Sequence, residues 1–425
     1  MGRSLQHELT LPSPRRWIRE TATAVETEGP KFAFKLLILF LLILYSNVAI
    51  AYPELDSVRP ALVVAVAAIS MLVLELGQAR QTFRLMWPQG FLLIAFVGVC
   101  FLSSFTAFWP GYAFGKTMDL AKIVLIYIVI ENTVTTPRRL RTVLMTMVIG
   151  GMFPAVGTIS HYAQHILRDG RATWIGVWNN PNEDAYGLLI LIPIAGALAM
   201  KSNWPVRIGL AAIVGTFLLA IFFTYSRGGF LGLVAVLGLA GWKQKSPMVR
   251  TMMILGLAAM LLFGAMYWQR SQGFNDISHD ATVNERIGTF IAGLRMFQAS
   301  PLVGIGPGCS MFAYPIYAPE YARCGCATQL VVHNSFIQVL GETGILGFLP
   351  FMMLLGFSLF HAWKLQRGTL NIYASALEVA LWGFIVCSLS GGFSYSWWPY
   401  ILIALTIATK HMSASHAPEL TDATS

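Results

Sequence analysis

Three cationic or titratable side chains in this 425-residue chain stand at the edges of apolar runs: His333, Arg227 and Arg286. His333 opens the stretch VVHNSFIQVLGETGILGF, Val331 to Phe348, in which Glu342 follows nine residues later. An ionised group at a bilayer centre costs roughly 2.5 to 3.5 kcal/mol on insertion scales and less near the interface, so one kept at such a threshold points to use. A histidine, with an ordinary pKa of about 6.5, is a neutral base near pH 7 and can take a proton from a hydroxyl. Arg227 lies in the turn Tyr225-Ser226-Arg227-Gly228-Gly229, and the two glycines are expected to leave room for a bulky group beside its guanidinium. Planar guanidinium forks bind phosphate oxyanions bidentately and keep their charge. The set fits a hydroxyl nucleophile deprotonated by His333 and a diphosphate leaving group neutralised by Arg227 and Arg286. Asn334 and Glu342 are supporting candidates. Asn334 can cap a helix that starts after His333, and Glu342 turns toward the same side only if Gly341 and Gly344 break that helix. No metal or cofactor is expected, because Asp276, Asp280, Glu285 and Glu320 are scattered rather than clustered.

The elements that must position these groups follow from composition. Hydrophobic residues make up 56% of the chain and charged ones 12%, against about 25% charged in a soluble domain. The chain therefore reads as an all-α, polytopic integral membrane protein, since only helices and closed barrels satisfy their backbone in lipid. Apolar runs fall near 36–52, 60–76, 90–108, 115–131, 143–160, 184–200, 207–225, 229–241, 251–268, 336–361, 373–389 and 393–409, which gives about twelve spans. The join at Ser226 to Gly229 is the softest boundary, because 222–240 also reads as one interrupted helix. With the amino terminus inside, nineteen of the 29 lysines and arginines fall in cytoplasmic segments, as the positive-inside rule asks. The expected organisation is a cytoplasmic tail over 1–35, helices over 36–268, a large periplasmic loop over 269–332, helices over 333–409 and a cytoplasmic tail over 410–425. The net charge of +9 is accounted for by topology and interfacial anchoring, so nucleic acid is not an expected partner and membrane lipid is. The polar first 35 residues and the missing small-residue cleavage site argue against a removable signal peptide.

Inside the long loop, Thr282-Val283-Asn284-Glu285 reads as a capping box before an amphipathic helix of about fifteen residues that ends at Pro301 and carries Arg286 in its first turn. Gly304-Ile305-Gly306-Pro307-Gly308 then makes a tight turn before an irregular aromatic stretch, Tyr314 to Tyr321, suited to a surface lid. Cys309 can pair with Cys324 or Cys326 in an oxidising compartment, while Cys100 and Cys387 are packing residues. Trp178 to Asp184 reads as an interfacial turn and cap, Glu75 and Lys122 as an intramembrane pair, and Trp397, Trp398 and Tyr400 as an aromatic belt.

Three segments resemble the O-antigen ligase family: TYSRGGFLGL at Thr224 to Leu233, NERIGTFIAGLRMFQASPLVGIGPG at Asn284 to Gly308, and HNSFIQVLGETGILGFLPF at His333 to Phe351. The resemblance implies a twelve-helix glycosyltransferase of the bacterial inner membrane that takes a glycan from undecaprenyl diphosphate at the periplasmic face. It implies inverting, metal-independent transfer to a sugar hydroxyl of the lipid A core, with His333 as the essential histidine and Arg227 and Arg286 as the essential arginines. The wider superfamily leaves open an O-antigen polymerase, which extends a lipid-linked glycan, and a protein O-oligosaccharyltransferase. The latter is disfavoured because only Lys410 to Ser425 follows the last span. A transporter is disfavoured by the lack of a visible repeat and the scarcity of midplane charges.

Overall fold

Apolar runs this long can lie in lipid only if each backbone donor is satisfied within its own segment, and most of the described chain is helical. The computed structural model describes residues 29–267, 281–322, 329–368 and 370–415. The principal helices are α1 (Lys31–Ser46), α2 (Pro60–Gln78), α3 (Gln89–Phe105), α4 (Pro110–Thr133), α5 (Pro137–Ala163), α6 (Pro181–Met200) and α7 (Trp204–Phe223). They continue as α8 (Arg227–Trp242), α9 (Pro247–Tyr267), α10 (Ala281–Ala299), α11 (Ser310–Tyr317), α12 (Ser335–Leu365), α13 (Asn371–Ser388) and α14 (Trp397–Ser415). Each of the twelve apolar runs overlaps one of these helices. Among the described residues, α2, α5, α6, α7, α12 and α13 are long and apolar enough to cross a membrane. The chain is an all-α, multi-pass membrane protein.

Packing divides the bundle around α12, which lies against α3, α10, α13 and α14, while α1 packs on α2 and α5, and α8 on α13. The join at Ser226 resolves into two helices. The backbone turns at Tyr225, whose φ is 47°, and Ser226 then caps α8 by accepting the Gly229 amide at 3.1 Å. Gly228 and Gly229 do not hold space open for a ligand. A Cβ on the first would lie 2.2 Å from Tyr186 Oη, and on the second 2.6 Å from Ala185 Cβ, so the glycines let α6 and α8 meet.

The end of the bundle away from His333 is cross-linked by cations expected to share one membrane side. Arg139 donates to the carbonyls of Gly29, Pro30 and Thr133 at 2.7 to 3.0 Å, Arg141 to Ser202 Oγ at 3.0 Å, and Lys243 to Glu378 at 2.8 Å. Lys410 meets His361 at 3.2 Å. The expected intramembrane pair does not form. Glu75 instead accepts the amides of Lys31, Phe32 and Ala33 at 2.9 to 3.0 Å, capping α1, and Lys122 pairs with Asp119 at 2.8 Å. Nor do Trp398 and Tyr400 form a lipid belt; both are buried, Trp398 against Trp178.

Helix α12 is broken at Gly344, where φ is 62° and ψ is −167°. A side chain there would collide, since an added Cβ would sit 2.3 Å from the Leu302 carbonyl. The backbone groups freed by the break are taken up by the loop before α11. Ile305 and Gly306 amides donate to the Gly341 and Glu342 carbonyls at 3.1 and 2.9 Å, and Ile345 and Leu346 amides donate to Pro301 and Leu302 at 2.9 and 3.2 Å. The glycine turn takes the expected form, with positive φ at Gly304, Gly306 and Gly308. The aromatic stretch after it is no irregular lid: it begins with the regular helix α11, whose Tyr314 is buried. Cys309 is a buried free thiol, its Sγ 3.7 Å from the Trp109 carbonyl; Cys324 and Cys326 lie outside the described residues, as do Asp276, Asp280 and most of both tails.

Candidate active site

The described part of α10 begins at Ala281, ahead of the expected cap, so Arg286 stands in its second turn rather than its first. The helix crosses α12 closely where a Cβ on Gly293 would lie 2.5 Å from Ile337 Cγ2, and this contact carries Arg286 toward the amino-terminal end of α12. Thr289, fully buried, donates to the Arg286 carbonyl at 3.0 Å and accepts the His333 amide at 3.5 Å, linking the backbones of both residues. Asn334 then starts α12, accepting the Phe336 and Ile337 amides at 3.0 Å each and donating to the Leu389 carbonyl at 3.2 Å.

His333, Arg227 and Arg286 line one cavity of about 270 Å³. Three elements distant in sequence thus deliver the three residues whose chemistry is complementary. Burial first, and the Arg286 charge second, push the His333 imidazole down to about 4 from its ordinary value, so the ring is neutral near pH 7. The Glu285 carboxyl beside Arg286 is raised by burial, partly offset by that arginine.

The remaining wall comes from the segment between α5 and α6. Arg168 and Arg171 exchange backbone hydrogen bonds at 2.9 and 3.0 Å across a two-residue turn, with φ of 50° at Asp169 and 71° at Gly170. Arg168, Asp169 and Arg171 line the cavity, as do Asn180 and Asn182. Asn180 also caps α6, accepting the Asn182 amide at 2.9 Å, so the cap expected there belongs to the cavity as well. Arg171 donates through Nε to the Thr224 carbonyl at 2.8 Å and through Nη2 to Asn182 Oδ1 at 2.7 Å, and Ser226 Oγ donates to the same Oδ1 at 2.8 Å. Among the described residues that line the cavity, four arginines outnumber two carboxylates, a positive lining with His333 neutral.

Glu342 is not in the cavity wall. Fully buried, its carboxylate accepts the Gly308 amide at 2.8 Å and the Ser310 amide at 3.2 Å, fastening the start of α11. Among the described residues, no three His, Cys, Asp or Glu side chains gather where they could hold a metal ion. The arginines of the 168–171 turn escaped sequence reasoning because short polar connections between apolar runs look alike; a repeated arginine three residues apart around Asp-Gly was the available signal.

Residues 210–352 match a family model described as O-antigen ligase. The match runs from α7 into α12 and takes in Arg227, Arg286 and His333, but not the 168–182 segment. No curated protein matches the chain.

Proposed function

We propose that this chain, whose residues 210–352 match the O-antigen ligase family model, transfers a glycan from undecaprenyl diphosphate to a sugar hydroxyl of the lipid A core. The observation that carries the reading is the meeting of His333, Arg227 and Arg286 in one positively lined cavity. The acceptor oxygen attacks the anomeric carbon and its proton passes to His333. The anomeric carbon–oxygen bond breaks on the opposite face, and its electron pair leaves on the diphosphate, where the arginines meet the new charge. Displacement from the opposite face inverts the anomeric centre. In this reading the protein lies in the bacterial inner membrane with twelve spans and both termini cytoplasmic, and the cavity opens to the periplasm. The lysine and arginine distribution supports that orientation, as does the cross-linked cluster at the far ends of the helices that carry the cavity residues. Asn334 and Glu342 support the site through helix geometry, Asn334 by fixing the turn after His333 and Glu342 by fastening the loop that joins α10 to α11.

Purified protein supplied with an undecaprenyl-diphosphate glycan and, in parallel, lipid A core, a second lipid-linked glycan or an acceptor protein should glycosylate the lipid A core. Chain extension of the lipid-linked glycan would replace this reading with a polymerase, and transfer to no acceptor would remove it.

The pH dependence carries a sign. The base must be neutral, and a ring held at about 4 stays neutral until pH falls through that value. The kcat/KM for donor should therefore hold level from pH 7 to about 5 and fall below it, where an ordinary histidine would already fall near 6.5. Bound diphosphate offsets the repulsion from Arg286, so the acidic limb of kcat should lie at higher pH than that of kcat/KM. A kcat/KM limb at 6.5 or above would contradict the assignment of His333 as the base in this environment.

A further inference from the structure

We propose that Tyr162 and Tyr225, backed by Phe223, form a sugar subsite beside the cavity, where a pyranose ring of the donor glycan or of the acceptor core is held by its face and its hydroxyls. This rests on the proposed glycan transfer. The Tyr162 ring, in the last turn of α5, stacks on Phe223 at the end of α7, with centroids 3.9 Å apart and planes 7° from parallel. Tyr225 stands tilted beside them, its ring 6.4 Å from that of Tyr162 and 5.8 Å from that of Phe222. The Tyr162 and Tyr225 hydroxyls meet at 3.4 Å, and both side chains are half-buried. The rings stand where two cavity-lining segments are joined. The Ala172 amide donates to the Phe223 carbonyl at 3.0 Å, next to the Arg171 bond to Thr224, and Arg227 follows Tyr225 by two residues.

Tyrosines at helix ends commonly form an interfacial belt, with rings toward lipid and hydroxyls in the headgroup layer. Two features set this pair apart. Tyr225 has a φ of 47°, left-handed backbone that strains a bulky residue and that glycine or asparagine adopts more cheaply. The turn itself has no need of a ring at this position, so the ring has another use. The two phenols also point toward each other. Only one of their protons can lie between the two oxygens, which leaves a second proton and further lone pairs for a ligand. A pyranose matches this surface: its C–H face rests on an aromatic face, and its rim of hydroxyls exchanges hydrogen bonds with the phenols. Its place follows from the chemistry, because the anomeric carbon is bonded directly to the diphosphate and is also the point of attack. Sugars of both substrates must therefore adjoin the cavity.

The test measures the affinity of the full-length protein in detergent for undecaprenyl diphosphate with and without its glycan, and for lipid A with and without its core sugars. Thermal unfolding is followed alongside. Tyr225→Asn, which suits left-handed backbone but carries no ring, and Tyr162→Leu should each weaken binding of at least one sugar-bearing ligand by roughly 3- to 10-fold, the worth of one aromatic contact. The sugar-free counterpart should bind as before. Tyr225→Phe keeps the ring without the hydroxyl and should lose less, and it takes the place of the asparagine variant if that one is unfolded. A loss confined to the glycan donor assigns the ring to the donor, and one confined to the lipid A core assigns it to the acceptor. Unchanged affinity for both sugar-bearing ligands in folded variants would overturn the inference. So would equal losses for a ligand with and without its sugars, the behaviour of a lipid belt. A wild type that binds neither glycan carrier would instead remove the proposed transfer, and this inference with it.

Discussion

Replacing His333 with alanine should lower glycan transfer by about 10²- to 10⁴-fold, the usual worth of a positioned general base. The fold should survive, because the contacts that place this residue are made by its backbone and its neighbours. The amide that meets Thr289 is present in alanine, and Asn334 caps α12 independently of the imidazole. His333→Gln separates proton transfer from polarity: the amide fills similar space and accepts a hydrogen bond, but takes up no proton near neutral pH. Both variants should keep KM for the donor within a few fold while kcat collapses, since in the proposed mechanism the arginines bind the diphosphate without the ring. In cells the result should appear as loss of the long-chain lipopolysaccharide ladder. A normal ladder from either variant, expressed at wild-type level, would remove His333 from the mechanism.

The second large effect belongs to Arg227. Its loss should cost about 10²- to 10³-fold in kcat, the range seen when one donor to a developing oxyanion is removed. As the first residue of α8, it presents its guanidinium at a helix amino terminus where the backbone dipole adds to the attraction for an anion. Arg227→Lys keeps charge without the fork and should restore only part of the rate. Because Arg227 and Arg286 line one cavity and share one leaving group in the proposed mechanism, the double alanine variant should fall short of the product of the single effects. Single-turnover transfer with saturating donor measures this directly, and an Arg227→Ala enzyme with wild-type kcat would rule out the role.

Much of this molecule was legible in its sequence. Apolar runs of sixteen or more residues leave little choice but helix, and His333, Arg227 and Arg286 were conspicuous because charge is rare in such surroundings. The readings that failed share a cause, which is that a residue type does not disclose its neighbour. Gly228 and Gly229 made room for Tyr186 and Ala185 rather than for a ligand. Glu75 met three amides of α1, and Trp398 met Trp178, contacts made across 42 or more residues of chain that no local pattern encodes. The placement of Arg171 was invisible for the opposite reason: Thr224 and Asn182, which orient it, reach it from two other segments.

A glycine break within a helix is commonly where a protein flexes, but the one at Gly344 is splinted. Residues 301–306 bond to both halves of α12, two bonds to carbonyls before the break and two from amides after it. Bending the elbow would mean breaking all four together, so the half-helix that follows His333 moves as one body with α10 and its arginine. Surface loops usually tolerate gain or loss of a residue. Here a single insertion between Pro301 and Gly306 would throw two registers out of step at once, so the length of this connection is under the same constraint as the spacing of the groups that react.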